Sequence, residues 1–270
     1  MSPVTPEEHL RAGDPSQALL ALQEKVRADP SNAKLRIFLF QLLCILGDWK
    51  RAVAQLRLSA ELDPAAMIMA QAYREAILCE VYREKVFKGE KDPLIFGEPE
   101  AWLAQLIEAQ KLLAQGHSAE AAQMRDAAYA AAPATAGEID GTRFEWIADA
   151  DMRLGPVLEV ILNGRYFWLP FAQIQKLEID EPSDLRDTVW MAGTLTLANE
   201  GALAVLIPTR YPGSEASDAA AKLARTTLWQ DAGGGAYTGL GQRLLTIGEQ
   251  DYPLMDIRLL QIDAQGDVDV

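Results

Sequence analysis

Apolar residues return at helical spacing through the first half of the chain and gather into short, strand-length runs in the second. From about Ala65 to Lys88, Met69, Tyr73, Ile77 and Val81 recur every four residues, which puts them on one face of a single long helix. A second helix opens near Pro99 with Trp102, Leu106 and Leu113 inward, and KGEKDPLIFGEPE between the two reads as a loop from its Gly and Pro content. The helical pattern stops at PATAGEIDG, residues 133–141. Beyond it, PVLEVIL and RYFWLPF flank Asn163-Gly164, a hairpin signal because both residues tolerate the positive φ of a type I′ turn. Further strand-like runs follow at Thr194 to Ala198, Leu203 to Pro208, Arg243 to Ile247 and Leu254 to Ile262, with one short helix from about Ser217 to Arg225. The pattern predicts an α+β chain: a helical domain over residues 1–137 and a small antiparallel β-rich domain, barrel-like or a curled sheet, over 138–270.

The helical half repeats itself. Gly13, Gly47 and Gly116 are each followed five residues later by alanine (Ala18, Ala52, Ala121) and seventeen residues later by proline (Pro30, Pro64, Pro133). The first two copies lie 34 residues apart, the period of a tetratricopeptide repeat. In such a unit the glycine ends one helix, the alanine lets the next pack closely, and the proline closes the unit. The third copy follows after 69 residues, about two periods, leaving room for one irregular unit. Only Met1 to Ala12 precede the first glycine, which suits an atypical capping unit.

Composition narrows the choice of partners. Of 270 residues 49% are hydrophobic, enough for two real cores, and 39 acidic against 25 basic residues give a net charge of −14. A field of that sign repels phosphate backbones and anionic lipid, so neither nucleic acid nor a membrane surface is the expected partner. The start, MSPVTPEEHL, has no basic n-region or apolar core, and the richest apolar run, Ile37 to Leu46, is too short to span a bilayer, so the chain reads as soluble and cytosolic. Cys44 and Cys79 both fall inside apolar helical patterns and read as buried free thiols.

Candidate chemistry is sparse. His9 and His117 give neither a metal spacing nor a general base, and no metal or cofactor is expected. In FEWIADADMRLG, Asp149 and Asp151 can share a cation if Glu145 converges on them, or can simply cap and turn the entry to a strand. In EPSDLRD, Ser183 or Asp184 is placed to cap a short helix, with Arg186 beside a carboxylate partner. GGGAYTGLGQR, residues 233–243, lacks the Gly-Lys-Ser/Thr ending of a phosphate loop and reads as a flexible connection. PTRYPGSE, residues 208–215, reads either as a rigid recognition loop presenting Thr209, Arg210 and Tyr211 or as a tight strand-to-helix turn capped by Ser214. Of the six tryptophans, four fall in the second half, and Trp168, Trp190 and Trp229 with Tyr211 are candidates to line a binding groove.

The segments FEWIADADMRLGPVLEVILNGRYFWLPF, EPSDLRDTVW, PTRYPGSE and GLGQR, in that order, resemble the signature of the ImpE family, also called SciE or TagJ. The resemblance runs in detail from about Arg143 to Ile262. It implies a non-enzymatic accessory component of the type VI secretion machine, an adaptor between the small sheath subunit TssB, bound through that subunit's N-terminal helix, and the ATPase ClpV, assisting disassembly of the contracted sheath. Asp184, Arg186, Arg210, Tyr211 and Arg243 are the motif residues so marked, and with Trp168, Trp190 and Trp229 they make up the candidate protein-binding set. Helical repeats offer grooves and partner helices fill grooves, so the pattern suits that role. Two other functions fit the residues: a repeat-type co-chaperone using Lys34, Arg36 and Arg74 for peptide carboxylates, and a metal-dependent hydrolase built on Asp149, Asp151 and Glu145.

Overall fold

A computed structural model describes residues 4–197 and 201–263. The expected strand end at Ala198, and the outermost residues of both expected domains, lie outside the described residues. Seven helices come first: α1 (Pro6–Arg11), α2 (Pro15–Ala28), α3 (Ala33–Ile45), α4 (Trp49–Leu62), α5 (Met67–Phe87), α6 (Ala101–Ala114) and α7 (Ser118–Ala131). The repeated glycines set three of the turns. Gly13, Gly47 and Gly116 sit at φ of +83°, +73° and +84°, and each follows a helix whose last carbonyls the glycine and the next residue bond. Asp14 and Asp48, directly after two of them, accept the backbone N–H of Gln17 and Arg51 and so start α2 and α4. Ala18, Ala52 and Ala121 are buried where paired helices meet.

Strands follow: β1 (Gly137–Ile139), β2 (Thr142–Phe144), β3 (Ala148–Asp149), β4 (Val157–Leu162), β5 (Arg165–Pro170), β6 (Ile174–Ile179), β7 (Trp190–Leu197), β8 (Ala202–Pro208), β9 (Thr227–Gly233), β10 (Ala236–Gly241), β11 (Leu244–Ile247), β12 (Gln250–Pro253) and β13 (Leu259–Ile262), with a short α8 (Ala219–Lys222) before β9. The main antiparallel sheet runs β2-β1-β13-β6-β7-β8-β4-β5; β12-β11-β3 and β10-β9 form smaller sheets. Ile139 and Phe144 at one end of the main sheet share a core with Phe167 at the other, so the sheet curls around its own interior. It does not close. Strands β2 and β5 are not paired with each other, and the barrel-like expectation becomes an open, curled sheet because β5 takes a different neighbour. That neighbour is the expected loop after α5: Leu94 bridges Phe167 in parallel, and Phe96 stacks on the Phe167 ring at 4.5 Å.

Strand β4 shows how the halves join. Leu158, Val160 and Leu162 face the sheet's interior, whereas Val157 and Ile161 belong to the core that the helices build with Leu42, Ile45 and Ile77. Trp168, Trp190, Tyr166 and Tyr211 belong to that same helical core. Helices and one face of the sheet therefore share a hydrophobic interior, distinct from the one the sheet encloses, and Glu159 enters it between Val157 and Ile161.

Candidate functional site

Burying a carboxylate inside an apolar layer costs several kcal/mol unless a cation and hydrogen bonds meet it. Around Glu159 both are present. Arg83 of α5 forks onto it, Nε to Oε1 at 2.6 Å and Nη2 to Oε2 at 2.8 Å. Arg243, next to β11, donates to Glu159 and to Asp149, and the Tyr166 hydroxyl donates to Glu159 from β5. The Trp168 indole N–H donates to the Tyr166 oxygen at 2.7 Å, and that of Trp190 to Glu80 at 2.9 Å. Glu80 in turn pairs with Arg83, one helical turn away, at 3.2 Å. Asp151 holds Arg153 and the backbone N–H of Gly239. Arg210 reaches across to the C-terminus of α3, donating to the carbonyl of Ile45 at 2.9 Å and to that of Cys44, which also accepts from Gly47 N, at 3.3 Å, where a cation meets the negative end of the helix.

Charge follows from this packing. Burial alone raises the Glu159 carboxyl, but Arg83 and Arg243 together outweigh it and hold the group down at about 2. Asp149 has one guanidinium and a like charge, Asp151, nearby; burial prevails over Arg243 and lifts it to about 7. Glu80 also rises through burial, against Arg83. Both thiols are buried and unpaired, with Cys79 pushed up to about 12 by burial and the charge of Glu80. Glu145 is exposed and does not join Asp149 and Asp151, and among the described residues no three acidic, His or Cys side chains converge as a metal site. Arginines, tyrosine and backbone amides take up the two aspartates instead.

The candidate binding residues divide by burial. Trp168, Trp190, Arg210, Tyr211 and Arg243 are buried in or beside the seam. Asp184 and Arg186 are half-buried: Asp184 caps a short turn, Leu185–Thr188, and pairs with Arg186, whose guanidinium lies 4.6 Å from the centre of the Tyr73 ring on α5. PTRYPGSE is an interior strand-to-helix turn: Thr209 and Ser214 are buried, and Ser214 Oγ accepts from Gly241 N at 2.7 Å. Only Trp229 of the eight is exposed, at 42%.

Trp229 stands on a hairpin, β9–β10, where the sequence suggests a flexible connection. The glycines of 233–243 sit at turns and at points of close approach: a Cβ on Gly239 would sit 2.2 Å from Tyr211. Gly239 lies opposite Trp229 in register, so the Tyr211 ring fills the missing side chain's place and meets the Trp229 ring at 5.8 Å. Tyr211 is anchored in turn by its hydroxyl, 3.0 Å from Asp149. Trp229, Tyr237 (52% exposed) and Trp146 (42%) line, with Met152, an open depression of about 550 Å³. Sequence reasoning missed Trp146 and Tyr237 as members of this face, and missed Arg83, Glu80 and Glu159 as members of the seam. A usable signal was present for the last: a glutamate centred in VLEVIL, and a Glu-x-x-Arg on the inward side of α5.

The family described as ImpE protein matches residues 141–261. A Pseudomonas aeruginosa protein named type VI secretion system accessory component TagJ is 50% identical over 258 residues, covering 95% of this chain and 90% of that one. The X-ray crystal structure of a Vibrio parahaemolyticus protein superposes with a TM-score of 0.89 at 28% identity, covering 96% of this chain and 98% of that one.

Proposed function

The chain belongs to the ImpE family, with a type VI secretion accessory role, and from that membership we propose that it is a non-enzymatic, cytoplasmic adaptor joining the small sheath subunit TssB to the ClpV ATPase. In this reading residues 1–137 are a tetratricopeptide-like scaffold and 138–270 the ImpE-type reader. The N-terminal helix of TssB docks on the face of Trp146, Trp229 and Tyr237. The observation that carries the placement is an exposed aromatic cluster held rigid from beneath by Tyr211, since partner anchors are characteristically aromatic, preorganised and ringed by polar groups. The buried motif residues act behind that face: Arg243 and Asp149 fix Tyr211, and Tyr211 fixes Trp229. No helix among the described residues is long and apolar enough to cross a membrane, which accords with a partner met in solution.

Calorimetric titration with a synthetic peptide of the cognate TssB N-terminal helix tests this. Saturable one-to-one binding is expected, weakened at least about tenfold by Trp229→Ala or Tyr237→Ala, a loss of about 1.4 kcal/mol or more. Full affinity in both variants would remove the placement. Failure of the native chain to bind the peptide, the assembled sheath and ClpV would remove the adaptor reading itself.

A further inference from the structure

A second surface lies on the helical half, away from the aromatic residues just described. Helices α4 and α5 enclose an open trough of about 720 Å³. Its floor is apolar, Val53, Leu56 and Ala60 from α4 and Ala70 from α5, with Met67 exposed at its end. The residues that line it recur at three and four along each helix, Lys50, Val53, Arg57 and Ala60 on one and Met67, Ala70 and Arg74 on the other, so it runs along the helix axes for about three turns. Ala54, Ala60 and Ala70 keep it wide where larger side chains would close it. At the corner where α4 gives way to α5, Leu62, Met67 and Ile68 are exposed, Ile68 at 85%.

The rim decides what fits. The chain carries a net charge of −14, yet Lys50, Arg57 and Arg74 stand around this trough against a single carboxylate, Glu61. Glu61 is paired with Arg57 at 3.4 Å, both well exposed, so the pair is weak and Arg57 remains available to a partner. A straight apolar floor with a basic rim complements an amphipathic helix, apolar at i, i+3, i+4 and i+7, with acidic flanks. We propose that the α4–α5 trough is a docking site for an acidic amphipathic helix of a partner protein, separate from the Trp146, Trp229 and Tyr237 face. It does not depend on the sheath partner proposed above.

The probe is a fluorescein-labelled helical peptide of about 18 residues with leucine at i, i+3, i+4 and i+7 and glutamate on both flanks, titrated with the full chain and compared with a lysine-flanked twin. Saturable binding of the glutamate peptide, at least about tenfold tighter than the twin and weakening with added salt, is expected. The double variant Arg57→Glu/Arg74→Glu should lose about tenfold or more, and Ala54→Trp, at an exposed position of the trough, should block the site. Trp229→Ala should leave this binding unchanged, which keeps the result independent of the aromatic face. Equal binding of the twin, no saturation, or unchanged affinity in the trough variants would overturn the proposal. So would sedimentation showing a dimer that Ala54→Trp dissociates, because the occupant would then be a second copy of the chain.

Discussion

Asp149 and Glu159 share one guanidinium, Arg243, and are driven in opposite directions. The difference is one of neighbours: Glu159 has Arg83 as a second cation, and Asp149 has Asp151 as a second anion. Their effects on stability separate along the pH axis. Asp149 rises to about 7, above its unfolded value, so its contribution is complete below about pH 4 and is lost as pH climbs through about 7. Glu159 falls to about 2, so its contribution is complete above about pH 4.5 and is lost only on acidification toward about 2. Between about pH 5 and 8 Asp149 alone of the two titrates, costing at most about 1.4 kcal/mol per pH unit up to its folded value. Urea midpoints of the native chain and Asp149→Asn at those two pH values should show a shallower pH dependence in the variant. Equal slopes would mean that Asp149 does not titrate in this window.

The β9–β10 hairpin depends on an aromatic ring from another segment taking the place of a missing side chain. Gly239→Ala puts a methyl group into the Tyr211 ring, and an overpacked site of this kind costs about 1–3 kcal/mol. The expected result is that loss in chemical denaturation together with an altered near-ultraviolet signal from the Tyr211–Trp229 pair; a variant as stable as the native chain, with unchanged aromatic signal, would contradict the packing. This element also marks where the sequence stopped being legible. Asn163-Gly164 announces its hairpin because both residues adopt positive φ, at +50° and +69°, and the runs that flank it are almost continuously apolar. In β9–β10 the alternation is hidden, since Gly239 occupies the place of an inward side chain and the residue that fills it is 28 positions earlier. Strand β6 was missed for a related reason: IQKLEI carries Lys176 and Glu178, whose outward positions dilute the apolar signal of a strand inside the sheet.

At the scale of the molecule, a partition at residue 137 reads from texture alone, because helical spacing gives way to short runs there. What texture cannot reveal is that Arg83 and Glu159, 76 residues apart, meet inside a shared core, or that Arg210 closes the end of α3 from 165 residues away. Charged residues within apolar patterns are ambiguous in a single sequence; only the fold shows that they answer one another. This seam is also why three of the motif residues marked by family resemblance, Arg210, Tyr211 and Arg243, turn out buried: they lie where the helices and the sheet meet, and Tyr211 packs beneath the exposed Trp229. That these residues lie deep in the fold was not legible in the sequence.

Joined by that seam, helices and sheet should open as one body. Native-state amide hydrogen exchange resolved by peptide measures this. The slowest amides of α3 and α5 should open with the same free energy as those of β4 and β7, because the core between helices and sheet is built by both. Helical amides that stay protected under conditions where the sheet amides have exchanged, or the reverse, would contradict it and make the seam a contact between two independent domains.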